Sequence, residues 1–226
     1  QFWQDYLIKT FKLDPNKITV TYEAVDPKFL CHPEFISGSP TKKMLKPVQH
    51  DKSYLLYTGN LYPHKNIHII FDALKDLPDL KLKIISGQSA FLDKTKLLVN
   101  QLGLASQIDF LGFIPDAEFK KLYQKALALV HPSFMEGFSL TGLEAMALNC
   151  PVISSNASCL PEVYGNSVLY FDPTKAEQLI TQIKKLKNNP KLRLSLIKQG
   201  HAQVNKYSWA KTAQQTLNVY KNCLVL

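Results

Sequence analysis

Cysteine is scarce: four in 226 residues, Cys31, Cys150, Cys159 and Cys223, with no C-x-x-C pair and no histidine cluster beside any of them. Such a set excludes a disulfide framework and the common zinc spacings, so the four are expected to be reduced thiols, mostly buried, in a cytoplasmic protein. Long apolar runs are absent as well. None reaches the about 18 residues that a membrane-spanning helix requires, and the opening QFWQDYLIKTF has neither the basic start nor the small-residue cleavage site of a signal peptide. The expectation is a chain that neither crosses a membrane nor is exported by that route. There is no G-x-x-x-x-G-K-S/T and no G-x-G-x-x-G, which excludes a P-loop and the dinucleotide fingerprint. Nor is there a D-x-D pair to hold a metal beside a diphosphate, an RNA-binding or zinc-finger signature, or an internal repeat.

What is present is ordinary for a globular protein: 46% hydrophobic and 20% charged residues, enough for one large domain or two small ones. The 27 Lys and Arg outnumber the 18 Asp and Glu, and the resulting net charge of +9 favours an anionic partner without naming it. The basic residues are scattered, with local concentrations at Lys42, Lys43 and Lys46 and at Lys184, Lys185 and Lys187. Their plain reading is a solvated face. Aromatic and basic residues do not alternate as they do in single-strand binders, so nucleic acid is not expected as a partner.

Short β-branched runs alternate with longer helical stretches. Candidate strands are ITVTY (18 to 22), SYLLYTG (53 to 59), LKIIS (82 to 86), IDFLG (108 to 112), LALVHP (127 to 132), PVISS (151 to 155) and SVLYF (167 to 171). Helical stretches are expected at 66–77, 93–103, 116–125, 140–149 and 174–187, with two more to the C-terminus, broken near Tyr207 and Ser208. This alternation predicts an α/β fold, a doubly wound parallel sheet with helices on both faces and C-terminal helices after it. Sheets of this kind bind ligands at the carboxyl ends of their strands. Residues 31 to 52, polar and rich in proline and serine, read as a surface loop. Residues 1 to 52 therefore form a leading segment, with the first strand and this loop, ahead of an α/β domain from 53 to 206. Tyr207 and Trp209 read as an aromatic pair that locks a helix join.

Two segments offer chemistry. The first, HPSFMEGFSLTGLEAMA, places Glu144 in a nearly all-apolar helix. With Thr141 as N-cap, Glu144 completes an S/T-x-x-E capping box; the other reading gives it a partner from outside the chain, because an unpaired buried carboxylate is expensive. Gly142 costs about 1 kcal/mol against alanine inside a helix, which implies a close approach there. Glu136 stands before that helix at the end of a strand, and the helix start over 138 to 142 suits a phosphate. A glycosidase pair is weakened, not removed: were the whole interval helical, the rise from Glu136 to Glu144 would be about 12 Å, against roughly 5 to 9.5 Å for hydrolytic pairs, but the interval reads as part loop. The second segment, YTGNLYPHKN, turns at Gly59 and delivers Lys65 to a helix start, where a cation is unfavourable unless an anion lies nearby. His64 and His131 are expected to cap or pack.

PSFMEGFSLTGLEAMALNCPVISSNASCLPEV resembles the signature of retaining, nucleotide-sugar-dependent enzymes of glycosyltransferase family 4, which have the two-domain GT-B architecture. TYEAVDPKF, YLLYTGNLYPHKN, LKIISGQ, IDFLGFIPDAE and YFDP match in order, so that the resemblance covers about residues 15 to 225. It implies that Glu136 lies against the donor sugar, that the backbone of Gly137, Phe138, Ser139, Leu140 and Thr141 meets sugar and diphosphate, and that Glu144 binds the ribose hydroxyls. Lys65 resembles the cation that neutralises the leaving diphosphate, beside Gly59 and Asn60, and the backbone of Phe113 and Ile114 would meet the base. Glu136 and Lys65 are the implied catalytic pair.

The resemblance further implies transfer of a sugar to an acceptor hydroxyl with retention, without metal or cofactor, in the making of cell-envelope polysaccharide. The chain resembles the C-terminal, donor-binding half. Its acceptor, a glycan or a lipid-linked sugar, would be held by an N-terminal domain absent here, which residues 207–226 would face. A lipid-linked acceptor would place the protein at the inner face of a membrane. Family members commonly carry arginine where this chain has Asn60, so one cation expected at the diphosphate is missing. The alternatives are a nucleotide-sugar-binding module without turnover, a related GT-B epimerase or phosphorylase, and a polyanion binder.

Overall fold

The computed structural model describes residues 1–30 and 54–224. Six strands form one sheet: β1 (Tyr54–Thr58), β2 (Lys81–Ile85), β3 (Ile108–Phe110), β4 (Ala128–His131), β5 (Val152–Ser155) and β6 (Leu169–Phe171). Their order is β3-β2-β1-β4-β5-β6 and every pair is parallel. The order reverses between β1 and β4, where Leu55 is registered with Ala128 and Leu56 with Leu129. A crevice opens outside the carboxyl ends of strands at such a switch point.

β1 and β4 are apolar and buried through most of their length, as strands covered on both faces must be. Because successive side chains point to opposite faces, Leu55 and Tyr57 join one core with Ile70, Phe71, Leu82 and Ile183, whereas Tyr54 and Leu56 join the other with Tyr123, Leu143, Met146 and Val163. The helices are α1 (Phe2–Phe11), α2 (His68–Lys75), α3 (Ala90–Gln101), α4 (Asp116–Lys125), α5 (Leu140–Ala147), α6 (Leu160–Tyr164), α7 (Ala176–Lys187), α8 (Pro190–Val204) and α9 (Trp209–Leu224). α5 packs most closely on α8, where a Cβ on Gly200 would stand 2.9 Å from Met146 Cγ.

The doubly wound sheet and the expected helices between its strands are as the periodicity predicts, and α4 coincides with its expected span. Residues 18–22 differ. Ile18, Val20 and Tyr22 are half-buried and Thr19 and Thr21 exposed, so the alternation is real, yet the segment pairs with no strand among the described residues. It runs as an extended strap fixed by Gln4 Nε2 to the Ile18 carbonyl (2.7 Å) and by the Thr212 hydroxyl to the Tyr22 carbonyl. Neither α1 nor α6 was anticipated. Thr141 is no N-cap: Ser139 occupies that position, in the left-handed region at φ 79°, and the capping box does not form. The loop expected over 31–52, with Cys31, lies outside the described residues; Cys150 and Cys159 are buried and Cys223 is exposed. No described helix is long and apolar enough to cross a membrane.

Candidate active site at the β1–β4 switch

Gly59 leaves β1 at φ +137°, a value suited to glycine, and its amide bonds the Ile85 carbonyl at 3.0 Å. Asn60 follows, exposed, its carbonyl held by the Tyr57 hydroxyl. Pro63–Lys65 make one 3-10 turn, with proline at the position that suits its fixed φ. Left-handed Asn66 then ties this loop to the next: its Nδ2 donates to the carbonyls of Pro132 (3.1 Å) and Pro173 (2.8 Å), and the Phe134 amide donates to the His64 carbonyl (2.8 Å).

These ties bring Lys65 against Glu136. The Lys65 Nζ donates to both carboxylate oxygens, at 2.8 and 2.7 Å, and Oε1 also meets His131 Nε2 at 2.7 Å and the Ser133 hydroxyl at 2.6 Å. The pair is largely enclosed, with side chains 20% and 9% exposed. Burial alone would raise the Glu136 pKa. The hydrogen bond and charge of His131, with the bonds from Lys65 and Ser133, outweigh it and hold the group at about 2. In this state the anion that Lys65 required is Glu136 itself.

The backbone of Glu136 is fastened too. Its carbonyl accepts from Trp3 Nε1 (2.9 Å), the Ser158 hydroxyl (3.1 Å) and the Cys159 thiol (3.2 Å). Gly137 follows with nothing within 4 Å of where a Cβ would stand. Phe138 packs edge-on against Tyr207 at 5.3 Å and tilted against Tyr22 at 5.9 Å. Tyr207 thus locks the turn into α9 through Phe138, and Trp209, expected as its partner, is exposed. A hollow of about 510 Å³ lies between the strap and this loop, with Trp3, Leu7, Tyr22, Phe138 and Glu162 on its walls.

In the first turn of α5 the Gly142 amide donates to the Tyr164 hydroxyl (3.2 Å), while the amides of Leu140 and Thr141 have no acceptor among the described residues. The close approach that Gly142 implied comes from that ring: a Cβ there would stand 2.3 Å from Tyr164 Cζ. Glu144, one turn further, is half-buried, and no hydrogen bond or ion pair reaches its carboxylate among the described residues. Burial raises its pKa; the Lys28 charge lowers it and Asp26 raises it. Phe113 is 95% exposed and Ile114 half-buried, after β3 on the same edge of the sheet, with no hydrogen bond or ring contact to the other candidates.

The structure therefore joins Lys65 directly to Glu136 and sets Gly137 to Thr141 beside them. Glu144 faces different surroundings. Sequence reasoning missed Ser133, Ser158, Tyr164 and the part played by His131. Gly142 was the available signal for Tyr164, and the place of His131 at the end of β4 was the signal for its reach to Glu136.

A six-stranded parallel sheet in this order, with a cation, a carboxylate and open helix amides at its switch point, defines a Rossmann-like domain of the GT-B kind. The chain belongs to the family described as Glycosyl transferases group 1, which it matches over residues 41–203. It is 32% identical over 228 aligned residues to O-antigen chain mannosyltransferase B of Escherichia coli, covering 97% of this chain and 58% of that protein. It is 34% identical to O-antigen chain mannosyltransferase RfbU of Salmonella typhimurium, over 83% of this chain and 49% of that one. HepE of Anabaena, solved in complex with UDP, superimposes with a TM-score of 0.76 at 20% identity, over 99% of this chain and 61% of HepE. The chain spans about half the length of the curated relatives it matches.

Proposed function

We propose that the chain is the donor-binding half of a retaining glycosyltransferase that moves a sugar from a nucleotide diphosphate to an acceptor hydroxyl. The observation that carries this reading is the Lys65–Glu136 pair at the switch point, beside the unfilled amides of Leu140 and Thr141. An anionic diphosphate at those amides gains from the helix dipole and from Lys65. As the glycosidic C–O bond breaks, negative charge grows on the departing oxygen, and preorganised donors stabilise it more than the ground state. Glu136 would meet the sugar hydroxyls and Glu144 the ribose. The backbone of Phe113 and Ile114, with Gly59 and Asn60, would line the nucleotide. No resident cofactor is needed, because Lys65 and the amides supply the positive charge.

The two curated relatives are named mannosyltransferases of O-antigen chains, which supports a mannosyl donor and an acceptor in surface polysaccharide. HepE with UDP supports a nucleotide diphosphate in this crevice. The acceptor, glycan or lipid-linked, falls to the remainder of a protein about twice this length, with residues 207–226 facing it. A module without turnover is the second reading, favoured by Asn60, which puts no cation beside Lys65.

Calorimetric titration with UDP, GDP and their mannose and glucose conjugates tests the site. Saturable binding should weaken about tenfold or more in Lys65→Ala and in Glu144→Ala, the weight of one charge-assisted hydrogen bond. Binding indifferent to both substitutions would remove the site.

A further inference from the structure

The proposed reading sets Lys65 a double task. Its ammonium donates to Glu136, and with a donor bound it must also serve a diphosphate. A carboxylate enclosed to 9% exposure cannot cheaply stand without partners. Ser133 offers Glu136 one neutral hydroxyl. The other contact is His131, whose ring is braced from behind: Nδ1 lies 2.9 Å from the Tyr164 hydroxyl, and Nε2 lies 2.7 Å from Glu136 Oε1.

Tyr164 is fully buried and has little freedom. Its hydroxyl meets the Ser139 hydroxyl at 2.6 Å and the Gly142 amide at 3.2 Å, and its ring fills the space a side chain at Gly142 would need. Ser139 and Gly142 belong to the cap and first turn of α5, whose amides are the proposed phosphate seat. One line of contact therefore runs from the phosphate seat through Tyr164 and His131 to Glu136 and Lys65.

We propose that His131, braced by Tyr164, is a positioning residue that holds Glu136 in place when Lys65 turns to the diphosphate of a bound donor. This rests on the donor-binding reading above. The hydrogen bonds permit it in both protonation states of the imidazole. An ionised Glu136 only accepts, so Nε2 carries a hydrogen. A neutral ring accepts the tyrosine O–H at Nδ1. A protonated ring donates there instead, and the phenol turns to the Ser139 carbonyl, 3.2 Å away. The titratable groups around this ring are Glu136 from the loop after β4, Lys65 from the loop after β1 and Tyr164 from α6; Tyr57 of β1 and Cys159 before α6 feel the Glu136 charge.

The test compares the parent chain with Tyr164→Phe, which removes one hydroxyl, and with His131→Gln and His131→Leu. Nitrogen-15 spectra of the parent should show a His131 Nδ1 resonance displaced by the hydrogen bond to the Tyr164 hydroxyl, and Tyr164→Phe should return that resonance toward an unbonded position while Glu136 keeps the hydrogen on Nε2. An unchanged signature overturns the brace whether or not any nucleotide binds. In calorimetry with GDP-mannose and UDP-glucose, Tyr164→Phe and His131→Leu should each weaken binding about tenfold, the double variant little further, and His131→Gln should recover part of the loss through its amide. Unaltered affinity in both Tyr164→Phe and His131→Leu would refute the proposal. Failure of the parent to bind any nucleotide would strike the donor-binding reading instead, leaving the spectra to judge the brace.

Discussion

Lys65 and Glu136 show how a single enclosed ion pair ties stability to pH. Folding depresses the Glu136 pKa from 4.5 to about 2, so the group contributes stability that is fully present above about pH 4.5 and is lost as pH falls toward 2. Lys65→Ala removes one of the groups that hold it down. Urea unfolding of that variant between pH 2 and 6 is expected to show about 1 to 3 kcal/mol less stability at pH 6. The gap should narrow below pH 3, and an equal loss at every pH would contradict it. Glu144 has the opposite sign. Burial raises its pKa without a hydrogen bond to repay it, so its charge works against the fold as pH rises through the folded value. Glu144→Gln should therefore stabilise the ligand-free chain at pH 7, by up to about 1 kcal/mol, while weakening nucleotide binding, the trade expected of a residue kept for a ligand. A melting temperature lowered by this substitution would mean that Glu144 has a structural role.

Among the elements, α5 joins the site to the core, and its two close approaches set what it tolerates. Alanine at Gly142 gains about 1 kcal/mol in helix propensity, but its Cβ would meet the buried Tyr164 ring at 2.3 Å. The collision wins: Gly142→Ala is expected to lose about 1 to 3 kcal/mol in thermal unfolding. Tyr164→Leu in the same chain should restore part of this, because the two residues share one space. A Gly142→Ala chain as stable as the parent would show that the ring yields freely. The same contact marks the boundary of what could be read from the sequence. Periodicity placed all six strands and most helices, because a doubly covered parallel sheet writes continuous apolar runs. It placed Lys65 and Glu136 on one edge, because both follow strands of that sheet. Alternation at 18–22 could not show whether a neighbouring strand was present to bond it. Nor could local spacing reveal that Tyr164, far along the chain, fills the gap at Gly142 and reaches His131, since that depends on how α6 packs across α5.

Across the whole molecule the charge is unevenly divided. Nine of the 27 Lys and Arg, and none of the 18 Asp and Glu, follow Glu177, so residues 1–177 are balanced and the net +9 resides in the final 49 residues. Those residues are α7, α8 and α9 with their joins. Arg193 is buried and bonds the Ala126 carbonyl, whereas Lys184, Lys185, Lys191, Lys198, Lys206, Lys211 and Lys221 are exposed. None of these seven lysines forms an ion pair among the described residues. Although Asp76 and Asp79 share a hollow with Lys184 and Lys187, this excess of positive charge in one stretch of chain raises the local potential, and the attraction reaches about 10 Å at 0.1 M salt and about 3 Å at 1 M. Vesicles containing phosphatidylglycerol should therefore sediment the chain at low salt and release it near 1 M, and vesicles of phosphatidylcholine alone should not. Changing Lys184, Lys185, Lys191 and Lys198 to Gln leaves the switch-point crevice untouched, so nucleotide binding should persist while sedimentation falls. Equal sedimentation of the variant and the parent would locate the attraction elsewhere on the chain.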